Sequence, residues 1–152
     1  MRYLLDSSVW LMSALREQVL PEDIQEIVSN AVNIPAISNE MWKILSPYLT
    51  LSEIIGKIAS QLCEGRIMEA VIEYKGNITN YNVEPLTLAV LKGLLTPIVP
   101  DMLNYVNAPT IAKERGIAVV ESRNSQSEDY STLITLKLRM EKEFKEVAGT
   151  VF

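Results

Sequence analysis

The stretch from Tyr130 to Glu141, YSTLITLKLRME, alternates apolar and polar residues more cleanly than any other part of the chain. One side of the alternation holds Ile134, Leu136, Leu138 and Met140, and the other holds Thr135, Lys137 and Arg139. Because successive side chains of a strand point to opposite faces, this pattern predicts a strand with one buried face. The next segment, EFKEVAGTVF (143–152), is predicted to pair back on it as a hairpin, through a tight turn near Glu141 and Lys142.

Two upstream segments predict further strands. In RIMEAVIEYKGN (66–77), Met68, Ala70, Ile72 and Tyr74 point one way, whereas Glu69, Glu73 and Lys75 point the other. GIAVVESR (116–123) is apolar and then charged, which suits a strand that leaves the core, and the polar NSQSED (124–129) is predicted to be a loop.

Three segments have helical spacing. SPYLTLSEIIGKIASQLCEG (46–65) is predicted to begin with Ser46 as the N-cap and Pro47 at the first helical position, or at a capping box of Thr50 and Glu53, and to stop at Gly65. A second helix is expected between Pro85 and Pro97, and a short third one between an Asn107 N-cap and Gly116. The predicted fold is α+β, a mostly antiparallel four-stranded sheet with helices packed on one face.

Bulk composition narrows the function. A chain of 152 residues with 48% hydrophobic content is sufficient for one compact core. Its 14 basic and 19 acidic residues provide no electrostatic footprint for nucleic acid. One cysteine, Cys63, and no apolar run of bilayer length predict a cytoplasmic protein without a membrane partner.

The absence of histidine excludes a Ser-His-Asp triad, a Cys-His pair and any zinc site with a histidine ligand. The six glycines are too far apart for a dinucleotide fingerprint or a P-loop. We therefore expect no catalytic residue, no metal and no cofactor in this chain, with one alternative left open. The opening MRYLLDSSVWLMSALRE resembles the start of PIN-type nucleases, in which Asp6 would bind a divalent metal.

Glu40, Asp101 and Glu114 are the carboxylates that would complete such a metal site. Isolated surface acids explain them better, because Asp101 directly follows Pro100 and Glu114 lies between Lys113 and Arg115.

Five blocks carry a second resemblance: NAVNIPAIS (30–38), SPYLTLSEIIGKIASQL (46–62), NYVNAPTIAKERGI (104–117), ESRNSQSEDYSTLITL (121–136) and VAGTVF (147–152). In this order they are similar to the C-terminal region of long-form D-3-phosphoglycerate dehydrogenases, which commit 3-phosphoglycerate to serine. The resemblance implies that 1–37 is a lead and connector, with the tail of the catalytic substrate-binding domain from about 28. It also implies that 38–152 is the intervening, or allosteric substrate-binding, domain.

The resemblance implies a regulatory domain that does not itself catalyse. NAD and the Arg, Glu and His set of hydride transfer would belong to the rest of the parent enzyme. The expected partners are the catalytic and ACT domains of the parent, further copies of the chain in a homo-oligomer, and a small anionic metabolite. A related domain in bacterial L-serine dehydratases is a weaker resemblance, and an oligomerisation spacer with an exposed sheet edge is a further alternative.

An anionic effector would need positive charge near free backbone N–H groups. The helix that opens at Asn107 is the candidate cradle, and the candidate charges are Lys92, Lys113, Arg115 and Arg123. Attraction of Lys113 and Arg115 to the helix dipole is an equally good explanation, and Asn107 also fits a simple cap.

Overall fold

A computed structural model of the chain describes residues 2–5, 9–12 and 38–152. Strands β1 (Arg2–Leu5) and β2 (Val9–Met12) form an antiparallel pair of their own. Asp6 lies outside the described residues, as do 13–37 and the boundary expected near 28.

The main sheet has four strands: β3 (Ile67–Gly76), β4 (Ala118–Asn124), β5 (Thr132–Met140) and β6 (Phe144–Gly149). Their order in the sheet is β4-β3-β5-β6. The β3–β5 and β5–β6 pairs are antiparallel and the β3–β4 pair is parallel. The predicted α+β fold with a mostly antiparallel sheet is confirmed, as is the hairpin of β5 and β6.

The parallel pair follows from the connection between β3 and β4, which contains a 3-10 turn (Asn77–Asn80) and two helices. Residues 38–152 contain three α-helices: α1 (Asn39–Leu62), α2 (Glu84–Leu95) and α3 (Ala108–Glu114). They cover one face of the sheet, where the core includes fully buried Ile72, Leu136, Leu49, Ile55 and Leu86. None of these described helices combines the length and apolar character of a bilayer-crossing segment.

Helix α1 begins earlier than predicted. The Ser38 side chain caps it by accepting a 3.3 Å hydrogen bond from the Met41 N–H, and Pro47 lies inside the helix. The prediction of an N-cap at Ser46 is therefore wrong. Because Leu45 and Leu49 are both fully buried, the apolar stripe holds the helix together across a proline that costs about 3 kcal/mol in an exposed helix interior.

One strand residue also departs from its predicted side. The β3–β5 register shifts between Ile67 and Glu69, so Ile67 is buried and Met68 is 39% exposed. A bulge inserts one residue and reverses the alternation on one side of it. From Ala70 onward, the predicted inward and outward positions of β3 are confirmed.

Two glycines bring α1 and α2 into backbone contact. A Cβ atom on Gly56 would overlap the Val90 carbonyl oxygen, and one on Gly93 would overlap the Glu53 carbonyl oxygen. The crossing therefore tolerates no side chain at either position. It also fixes Glu53 of α1 close to Lys92 of α2.

Candidate functional site

A cavity of about 430 Å³ opens between the end of α1, the start of β3 and the turn after α3. It is lined by Gly65, Arg66, Ile67, Ile98, Arg115 and Ile117. We call it the Arg66–Arg115 cavity. Its volume falls in the range of small-molecule sites, roughly 300–1,000 Å³.

Two glycines with positive φ, each in a turn after a helix, shape this cavity. Gly65 follows α1 with a φ of 121° and Gly116 follows α3 with a φ of 75°, so both have the left-handed backbone that glycine favours. Arg66 comes directly after the first glycine and Arg115 directly before the second. The Arg66 guanidinium lies against Gly116, where a Cβ atom would come within 2.7 Å of Arg66 Nη2. The two turns therefore bring both arginines to one cavity.

The charge of this cavity is unbalanced. None of its lining residues is acidic, and across 38–152 neither Arg66 nor Arg115 has an ion-pair or hydrogen-bond partner for its side chain. Ile67 and Ile117 are buried and give the cavity an apolar wall. Both arginines also lie just beyond helix C-termini, where the helix dipole favours a cation.

Lys92, one of the predicted anion-binding residues, lies elsewhere and faces a carboxylate. Its Nζ is 3.8 Å from Glu53 Oε1 and 4.3 Å from the centre of the Tyr105 ring. The Tyr105 hydroxyl donates a 2.6 Å hydrogen bond to Glu53 Oε2, and Lys57 Nζ is 3.0 Å from Glu53 Oε1. We call these four residues the Glu53 cluster.

Burial alone would raise the pKa of Glu53, but the Tyr105 hydrogen bond, Lys57 and Lys92 outweigh it and hold the pKa below its ordinary value. Glu53 is therefore ionised at neutral pH, and the cluster ties α1, α2 and the loop before α3 together.

Asn107 is the N-cap residue of α3, as predicted, but its side chain accepts no capping hydrogen bond from the helix. Its Oδ1 accepts a 2.8 Å hydrogen bond from the Asn104 N–H, and its Nδ2 donates to the Met102 carbonyl at 2.6 Å. The backbone of Asn107 is helical rather than extended, which directs the side chain back into the loop. Lys113 is exposed in the last turn of α3, where a cation suits the helix dipole.

Arg123 is paired on its own strand. Its Nε and Nη2 lie 2.8 Å and 2.6 Å from Glu121 Oε1. Glu121 Oε2 also accepts a 2.8 Å hydrogen bond from the Thr87 hydroxyl, which in turn accepts from the hydroxyl of Tyr74 at 2.7 Å. Burial raises the pKa of Tyr74, so its hydroxyl stays protonated and donates the first hydrogen bond of this series.

The structure therefore places the five predicted residues in five separate environments. Of these residues, only Arg115 lines the cavity, and Arg66 was missed. A signal for Arg66 does exist in the sequence, since each of the two arginines adjoins a glycine that ends a helix.

The acids nominated for a nuclease are also apart. Glu40 lies in the first turn of α1, Asp101 in an exposed turn after α2, and Glu114 at the end of α3. Among the residues with described coordinates, no group of three or more acidic, histidine or cysteine side chains could hold a metal ion. Asp6 is outside that set.

The described fold and cavity define a one-sided α+β sandwich domain with a cationic pocket at one end of its sheet. The chain belongs to the D-3-phosphoglycerate dehydrogenase intervening domain family, whose model matches residues 44–152.

Curated relatives agree with this assignment. A D-3-phosphoglycerate dehydrogenase of Synechocystis sp. is 41% identical over 109 residues, which is 71% of this chain and 20% of that protein. The enzyme of the same name from Archaeoglobus fulgidus is 36% identical over 139 residues, 88% of this chain and 26% of that protein. One from Methanocaldococcus jannaschii is 36% identical over 126 residues, 83% and 24% respectively. The chain thus spans about a quarter or less of the length of these relatives.

Proposed function

We propose that this chain acts as the intervening domain of a D-3-phosphoglycerate dehydrogenase of L-serine biosynthesis, and that it binds a small anionic metabolite in the Arg66–Arg115 cavity. The observation that carries the proposal is the pair of arginines that share one cavity without an acidic lining residue. In a chain with a net charge of −5, two arginines without a described carboxylate partner line the same cavity, whereas Lys57, Lys92, Arg123 and Lys137 each pair with a glutamate.

The chemistry of the cavity suits a phosphate or carboxylate with a short carbon body. Each guanidinium presents a planar set of N–H donors that matches two oxygens of such a group. The apolar wall of Ile67 and Ile117 excludes water from one side, which strengthens the attraction between the guanidinium and the anion. The exposed opening beside Ile98 allows a ligand to enter.

The domain senses or connects but does not transform its ligand. The sequence has no histidine, the commonest acid–base residue of enzymes. On this proposal, hydride transfer and NAD binding belong to the catalytic domain of the cytoplasmic parent enzyme. An ACT domain of the same parent enzyme is a second regulatory partner of this domain. Ligand binding here affects that distant site only if the ligand binds two states of the parent with different affinities.

The experiment is isothermal titration calorimetry of the 152-residue chain with 3-phosphoglycerate, inorganic phosphate and uncharged glycerol. We expect saturable binding of 3-phosphoglycerate with a Kd below about 1 mM, which corresponds to about 4 kcal/mol. Phosphate binds more weakly because it lacks the carbon body and the second acid, and glycerol does not bind.

Matched variants locate the binding. Arg66→Ala and Arg115→Ala should each weaken binding by about tenfold or more, since each removes one charge-assisted hydrogen-bonding partner. Arg139→Ala removes the same charge from the far face of the sheet and should leave the Kd unchanged. The proposal would be contradicted if the native chain gave no binding heat with any of the three compounds, or if Arg66→Ala and Arg139→Ala weakened binding equally. The two arginines would then only interact with the helix dipoles.

A further inference from the structure

Among the described strands, β4 lies at one edge of the main sheet. It pairs with β3 on one side, and no described strand pairs with its other side. All seven of its residues are exposed, including the apolar Val119 and Val120 at 38% and 43%. A row of unpaired backbone N–H and C=O groups of this length is a template for another strand.

The charges on this edge are balanced. In the parallel register with β3, Glu121 lies beside Ile72 and Arg123 beside Tyr74, so both point to the helix-covered face. Glu121 and Arg123 form a hydrogen-bonded ion pair, and β4 contains no other charged residue. An edge guarded against pairing usually presents a net charge or a proline, and β4 has neither.

The pattern of charges selects the register of a symmetric pair. When a second copy of β4 pairs antiparallel about a two-fold axis normal to the sheet, one residue lies opposite itself. An axis at Glu121 sets two carboxylates against each other, which is unfavourable. An axis at Ser122 sets each Glu121 opposite Arg123 of the second copy, which gives two favourable cross-strand pairs.

We propose that β4 is a homodimerisation edge, and that two copies of this chain pair through it in the antiparallel register centred on Ser122. The result is a continuous eight-stranded sheet in which the helices of both copies cover the same side. Each carboxylate of Glu121 then lies between its own Arg123 and the arginine of the second copy. The interaction is independent of the Arg66–Arg115 cavity, so either proposal stands without the other.

A contact made by one strand from each copy buries less than the roughly 1,200–2,000 Å² of a stable interface. The dimer is therefore weak, and sedimentation velocity should be measured from about 10 µM to about 1 mM chain. We expect the average mass to rise from one copy toward two over this range.

Two charge variants test the pairing. Glu121→Lys makes the edge entirely positive and Arg123→Glu makes it entirely negative, so each variant alone should remain monomeric at about 1 mM. Mixed in equal amounts, they should form a heterodimer because each lysine or arginine then faces a glutamate. Rescue by mixing distinguishes pairing between copies from loss of the bond within one copy, which mixing cannot restore.

Disulfide trapping tests the register in a Cys63→Ser background. Ser122→Cys places two thiols on opposing residues, within the Cα separation that a disulfide accepts. Val120→Cys is the control, because in this register the two residues are about 13 Å apart along the strands.

Efficient cross-linking of Ser122→Cys with little for Val120→Cys supports the proposal. A monomer at every concentration, no heterodimer on mixing, or preferential cross-linking of Val120→Cys would overturn it.

Discussion

The Arg66–Arg115 cavity and the Glu53 cluster each gather two cationic side chains, yet they differ in what faces those cations. In the cluster, Glu53 lies within 4 Å of both Lys57 and Lys92. In the cavity, both arginines belong to a lining that contains no acidic residue. The difference teaches that the number of basic residues does not define an anion site. The position of the carboxylates does.

The largest expected effect disrupts the cluster and spares the cavity. Gly93→Ala forces a methyl group into the carbonyl of Glu53 and separates α1 from α2. Because the obstacle is backbone, we expect a loss of about 3 kcal/mol in the free energy of unfolding, measured by urea denaturation.

The matched control is Gly65→Ala, which meets no atom within 4 Å and costs only the strain of its left-handed backbone, about 1 kcal/mol. Equal losses for both variants would show that the helix crossing is looser than the structure indicates.

Removing the charge at the centre of the cluster should have a smaller effect. Glu53→Gln retains the shape and a hydrogen bond to Tyr105 but loses the attraction of two ammonium groups, so we expect about 1 kcal/mol of destabilisation at pH 7. The pKa of Glu53 is lowered in the folded state, so its stabilisation is present above the ordinary value of 4.5 and is lost as the pH falls through the folded value.

The difference in stability between the native chain and Glu53→Gln should therefore shrink from pH 7 to pH 3 in thermal denaturation. A difference that stays constant over this range would mean that Glu53 acts through its packing alone.

The smallest effect is expected on the open face of the sheet. Arg139 Nε lies 3.1 Å from Glu69 Oε2, and the two side chains are 55% and 31% exposed. Solvent screens such a pair, so Glu69→Gln should change the free energy of unfolding by less than about 0.5 kcal/mol in the same urea assay. A decrease in the free energy of unfolding as large as that of Glu53→Gln would show that the exposed Arg139–Glu69 pair stabilises the fold as much as the Glu53 cluster does.

Local patterns were sufficient to predict most of the fold. The alternation in 130–141 and the glycine stop at Gly116 identified β5 and the end of α3 correctly, because each depends on neighbouring residues alone. Helix α1 ends at Leu62 with Cys63 as its C-cap, slightly before the predicted stop at Gly65. The start of α1 was misplaced because buried Leu45 and Leu49 override the local signal of Pro47. The bulge after Ile67 is likewise set by pairing with β5 rather than by any residue within β3.

The candidate site was only partly predictable, because charge pairing depends on residues distant in sequence. Tyr105 donates a hydrogen bond to Glu53, which lies 52 positions away in the sequence. Lys92 forms an ion pair with the same carboxylate. Arg115 and Arg66 reach one cavity only because α1 and α3 end at the same end of the sheet. Arg123 differs, because its partner Glu121 lies only two residues away on the same strand.

The most direct test of the central claim is a titration of the isotope-labelled chain with 3-phosphoglycerate, followed by two-dimensional ¹⁵N–¹H NMR. The amides of Gly65, Arg66 and Gly116 should shift saturably, while those of Lys92 and Tyr105 stay in place. Shifts centred on Lys92 and Tyr105, or no saturable shift at all, would contradict the account.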